Sequence, residues 1–140
     1  MISTQVSRAS AVLLLAGGLA LLFAPDVVLP RLVPGFPAGG EWLGQLLAAA
    51  LLALAALDWL SRAALLGGIY GRPVVLANTA FYFIATMALL RHAVGRDVPA
   101  AVWVVAVPVA LLAGAYGWLL LRGPAERDLH AFQRSRPGPE

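Results

Sequence analysis

Four long apolar stretches divide this sequence, and the segments between them are polar or dense in helix breakers. The first spans about 8–24. Its strongly apolar part runs from Ser10 to Ala24, extends back toward Ser7, and stops at Pro25-Asp26, because proline breaks a hydrogen-bond ladder and aspartate resists burial in hydrocarbon. The second, 42–60, is the cleanest. Its Trp42 and Trp59 would stand about 25 Å apart on a helix, which suits the two aromatic belts of a bilayer. The third, 74–90, follows Arg72-Pro73, a proline tolerated at a helix start because its missing N–H has no partner there anyway. The fourth, 99–121, carries Pro108 near its middle, where a kink is expected.

About 20 consecutive apolar residues cross a hydrocarbon core as a helix. The pattern therefore predicts an all-α integral membrane protein: an antiparallel four-transmembrane-helix bundle with a Pro/Gly-rich first loop. Residues 1–124 form the bundle and 125–140 a polar cytoplasmic tail whose last residues are expected to be disordered. Between the first two spans, Pro25, Pro30, Pro34 and Pro37 with Gly35, Gly39 and Gly40 argue against regular helix over 25–41. The stretch from Ala63 to Gly71 is apolar but broken by Gly67-Gly68. Arg8 ahead of an apolar run, with Gly18-Leu19-Ala20 beyond it, imitates a secretory signal, yet the segment is read as a retained first span.

Composition reinforces this picture. The chain of 140 residues is 61% hydrophobic and 12% charged, with a mean hydropathy of +0.83, far beyond what a soluble fold of this size hides. Cysteine is absent, which excludes disulfides, thiolate metal sites and thiol nucleophiles, and the ten basic residues are all arginine, which excludes Schiff-base chemistry. Basic charge gathers at span edges and in the tail rather than in a stripe along one face, so no nucleic-acid partner is expected. Arg8, Arg62, Arg72, Arg122, Arg127, Arg134 and Arg136 fall on the side of the termini, and Arg31, Arg91 and Arg96 fall opposite. That imbalance predicts cytoplasmic termini in a bacterial inner membrane.

Small residues four apart, Ala49 with Ala53, Ala110 with Gly114 and Ala113 with Gly117, allow close backbone approach, so the second and fourth spans are expected to pair tightly. A genome rich in alanine and glycine codons produces the same pattern without a packing role.

Two groups of polar residues meet once the spans fold antiparallel. Near the termini lie Asp58, Arg62, Tyr70, Arg72 and Asn78, with Asp58 and Arg62 at the spacing of an i, i+4 ion pair. Asn78, the only asparagine, continues through Tyr82 and Thr86 as a polar stripe that should face inward. Arg72, Asn78, Tyr82 and Asp58 are thus candidate ligand residues for a lipid phosphate or another anion, or alternatively a structural clamp with arginine reaching the headgroups. At the other edge Glu41, Gln45, Arg91 and His92 gather, with Arg96, Asp97, Asp26 and Arg31 nearby. A carboxylate beside histidine suits acid–base work, and a solvated ring of ion pairs explains the same residues. One histidine with scattered carboxylates is no metal-ligand set, and no cofactor motif occurs. His130, among tail charges, reads as solvated.

No catalytic signature points to an enzyme. Three functions stay open: a non-catalytic accessory or self-associating subunit, a small transporter or channel, and a lipid-binding or lipid-modifying protein. The first is the leading expectation, with membrane lipid and either a second copy or another membrane protein as partners. Against transport stands the lack of an ionisable residue in the middle of any span.

Overall fold

In a computed structural model, residues 2–62, 71–94 and 98–122 are described. Five helices occur among them: α1 (Ile2–Phe23), α2 (Pro25–Leu32), α3 (Glu41–Ser61), α4 (Gly71–Ala93) and α5 (Ala100–Arg122). All but α2 are long and apolar enough to cross a membrane. The protein is an all-helical membrane bundle, as the hydropathy pattern predicts.

The first helix starts well before residue 8. Ser7 and Ser10, whose polarity resembles an end signal, are wholly buried and turned into the bundle, so the helix runs through them. The breaker-rich segment also departs from expectation, because its first half is a regular helix. In α2, Pro25 occupies the first turn, where no N–H is required, and Pro30 falls late enough to cost one hydrogen bond. Asp26 in the first turn and Arg31 in the last complement the helix dipole. The expected irregularity is confined to residues 33–40. Gly35 and Gly39 adopt positive φ of 78° and 87°, a region that side chains disfavour.

Ser10 of α1 meets Asp58 of α3, while Gly18 lies against Ala48 and Leu52, so α1 and α3 run antiparallel. These two helices pack along most of their length, as do α4 and α5, and contacts between the two pairs are sparser. The expected pairing of the second and fourth spans is therefore overturned: the backbones of α3 and α5 do not approach each other. Ala49, Ala53, Ala110 and Gly114 are exposed, and a Cβ at Gly114 or Gly117 would meet nothing within 4 Å. Close approach occurs instead at Gly18, where a Cβ would sit 2.8 Å from Leu52 Cγ and 3.3 Å from the Ala48 carbonyl oxygen. Gly44 makes a comparable seat for α2, with Leu29 Cδ1 3.0 Å and Pro25 Cβ 3.4 Å from the same virtual atom. Pro108 lies inside one continuous α5. Trp42 and Trp59, at opposite ends of α3, are both exposed, where interfacial aromatic side chains belong.

Candidate functional site at Asp58

A polar side chain inside hydrocarbon is stable only if its hydrogen-bonding groups find partners within the protein. In this bundle every long helix contributes to one such set. Counting 1.5 Å per residue, Asp58, Asn78, Tyr116 and Ser10 lie roughly 5–12 Å inside the helix ends on the side of α1's N-terminus.

Asp58 is the centre, with no exposed surface. Its Oδ2 accepts the hydroxyl of Ser10 from α1 and, at 3.4 Å, the phenol of Tyr116 from α5. Its Oδ1 accepts Nδ2 of Asn78 from α4 at 2.6 Å. The second hydrogen of that amide goes back one turn to the Val74 carbonyl at 3.1 Å, so Asn78 spends both donors. Ser10 Oγ also lies 2.6 Å from the Tyr82 hydroxyl. The rings of Tyr82 and Tyr116 stack with centroids 5.7 Å apart, and Phe81 meets Tyr82 edge-on at 5.2 Å. Leu14, Ala55, Val75, Val109 and Leu112 enclose these side chains in the same buried core. Among the described residues, two buried side-chain atoms stand without a hydrogen-bond partner, Ser7 Oγ and Asn78 Oδ1.

The structure thus unites three of the four candidate ligand residues, Asp58, Asn78 and Tyr82, and leaves Arg72 exposed on α4. The Asp58–Arg62 ion pair does not form. Residue 58 faces the core, whereas Arg62 turns back over its own helix end, its guanidinium 4.1 Å from the Trp59 ring centroid and donating to the Trp59 carbonyl. The i, i+4 spacing permits a pair on an exposed helix face, and here only one partner is on such a face. Tyr70, Gly67 and Gly68 lie outside the described residues. The polar stripe of α4 does face inward: Asn78 and Tyr82 have no exposed surface and Thr86 only 9%. Thr86, however, donates to the Tyr82 carbonyl at 2.7 Å and takes no part in the cluster.

At the opposite edge Gln45 and Arg91 are exposed, and Glu41 and His92 half-buried. Glu41 accepts the Gly39 N–H at 3.2 Å, a local bond at the start of α3. No hydrogen bond joins Glu41 or Gln45 to Arg91 or His92 among the described residues. A groove of about 320 Å³ between α1 and α3, bounded by Val12, Leu15, Leu52 and Trp59, offers almost no polar surface and no converging polar groups.

Sequence reasoning missed Ser7, Ser10 and Tyr116. Their signal was present in the first and fourth spans, as two serines three apart and a lone tyrosine among aliphatic residues. Serine tolerates a helix interior, and tyrosine reads equally well as an interfacial anchor, so neither marks a buried partner without knowledge of the facing helix. No protein-family model, curated protein or solved structure matches the chain. Function must therefore be inferred from these side chains.

Proposed function

We propose that this protein is a small non-catalytic membrane protein that works by association, with a second copy of itself or with another membrane protein. It lies in the bacterial inner membrane with both termini in the cytoplasm, a placement supported by the arginine imbalance across the bilayer. One observation carries the reading: the small residues Ala49 and Ala53 of α3 and Ala110 and Gly114 of α5 are exposed on the outside of the bundle. Lipid supplies little drive for helices to associate, so close packing at small residues is a principal source of affinity between spans. Among the described residues, nothing packs on Gly114 or Gly117, since a Cβ on either meets open space. Mild extraction followed by native mass spectrometry should find a fixed stoichiometry. Gly114→Ile should weaken that assembly at least tenfold, about 1.4 kcal/mol, while leaving the helix content of the monomer unchanged. A wild-type monomer without a protein partner would overturn the reading.

A second reading, transport, is favoured by a buried carboxyl, although that carboxyl lies near one end of its span rather than in the middle. Asp58 of α3 sits inside the bundle among partners from the other three spans, and such groups mark ion and proton pathways in membrane proteins. Ion or solute flux in liposomes that disappears in Asp58→Asn would favour this reading over association.

A further inference from the structure

Asp58 presents a charge problem that its surroundings do not solve. When ionised it is a negative charge enclosed by the bundle, and among the described residues the groups facing it from every packed helix are neutral. From α1 come Ser10 and, one turn away, the buried Ser7, while Arg8 is exposed. From α4 come Asn78 and Tyr82, with Arg72 exposed, and from α5 comes Tyr116. On its own helix Arg62 is committed to Trp59, and in α2 Asp26 and Arg31 are exposed. Hydrogen bonds from neutral donors offset only part of the cost of such a charge.

The same partners are arranged to accept a proton. Ser10 stands between Asp58 Oδ2 and the Tyr82 phenol but has one hydrogen to give. With Asp58 ionised, Tyr82 donates to Ser10 and Ser10 donates to Asp58. With Asp58 protonated the order reverses: the carboxylic acid donates to Ser10 and Ser10 to Tyr82. The phenol hydrogen released by that reversal needs a new acceptor. Asn78 Oδ1 lies buried and without a partner one turn away on the same face of α4, and a side-chain rotation would be needed to bring the phenol to it. The Asp58–Ser10 and Ser10–Tyr82 contacts can serve either polarity, and contacts near 2.6 Å leave no space among these groups for a metal ion.

We propose that the Asp58 cluster is a proton-binding site, in which Asp58 takes up one proton and the Ser10–Tyr82 chain reverses direction to accommodate it. A hydronium ion gives up a proton and becomes water. One O–H bond forms at Asp58 Oδ2, and the hydroxyl hydrogens of Ser10 and Tyr82 rotate without further bond breaking. The site stands whether or not the protein transports anything or associates with a partner.

The test is infrared difference spectroscopy of the full chain in liposomes as pH is stepped across the range in which its helix content is constant. A carboxylic C=O band should appear and vanish reversibly with pH, and it should be missing from Asp58→Asn. Should Asp58→Asn fail to fold, Ser10→Ala and Tyr82→Phe keep the carboxyl but cut the chain, and each should move the midpoint of the band's titration. Replacing choline with sodium should leave the midpoint in place. A band that never changes with pH, a midpoint that neither Ser10→Ala nor Tyr82→Phe moves, or one that sodium displaces would each overturn the proposal.

Discussion

The two ends of the bundle are held together by different physics. Near the termini, α1, α3, α4 and α5 converge through side-chain hydrogen bonds on Asp58, and these bonds tie together two helix pairs whose backbones otherwise meet sparingly. Toward the other end, α1, α2 and α3 are joined by close apolar contact, Gly18 under Leu52 and Gly44 under Leu29 and Pro25. That second end also carries a set of ionisable side chains, Asp26, Arg31, Glu41, Arg91 and His92, yet Asp26, Arg31 and Arg91 are exposed and Glu41 serves only its own helix start. Charge count is thus a poor guide to where polar groups matter in a membrane protein. A single buried acid, surrounded by neutral partners, organises more of this fold than five ionisable residues at a wet edge.

The sharpest way to break the contrast is to remove the acid. Asp58→Ala strands the donors of Ser10, Asn78 and Tyr116 in an apolar core, and should destabilise the bundle by about 3 kcal/mol. Unfolding in mixed micelles, followed by circular dichroism, would show it. An unchanged midpoint would mean that the two helix pairs hold together without the clasp. A smaller loss, about 2 kcal/mol, is expected from Gly18→Val at the apolar end. Its Cβ must displace Leu52 or push against the Ala48 carbonyl, and that oxygen belongs to the backbone and cannot swing aside. Because Gly18→Val acts on α1 and α3 alone, it should leave the stacking of Tyr82 on Tyr116 intact, which near-ultraviolet dichroism of the tyrosines would report. The smallest effect belongs to the charged edge. Gln45→Ala with Arg91→Ala should change stability by less than about 0.5 kcal/mol, since both side chains are exposed. A larger change in the same unfolding assay would reveal a contact at that edge and erase the difference between the two ends.

Each polar residue was readable in the sequence as an interruption of an apolar run, but its partner was not. Asn78, Tyr82 and Thr86 share a face by helical spacing alone, and that face is buried. Asp58 and Arg62 also share a face by spacing. Whether the face is wet or dry depends on which helix lies against it, and α1, with Ser10 at the matching level, makes it dry for Asp58. The small-residue seams failed for the same reason. Ala110 and Gly114 permit close approach, but a permissive surface does not name its neighbour, and within this chain the close approach occurs at Gly18.

By itself, then, the sequence determined the membrane class, the four spans and the inward stripe of α4, because hydropathy and helical period are local properties that every residue carries with it. The tertiary structure alone decided that α1 pairs with α3 and α4 with α5, that the proline-rich segment begins as a helix, and that Asp58 faces Ser10, Asn78 and Tyr116 rather than Arg62. Those outcomes depend on the rotation and neighbour of each helix. Residues far apart in the chain set both together, so no window of sequence contains them.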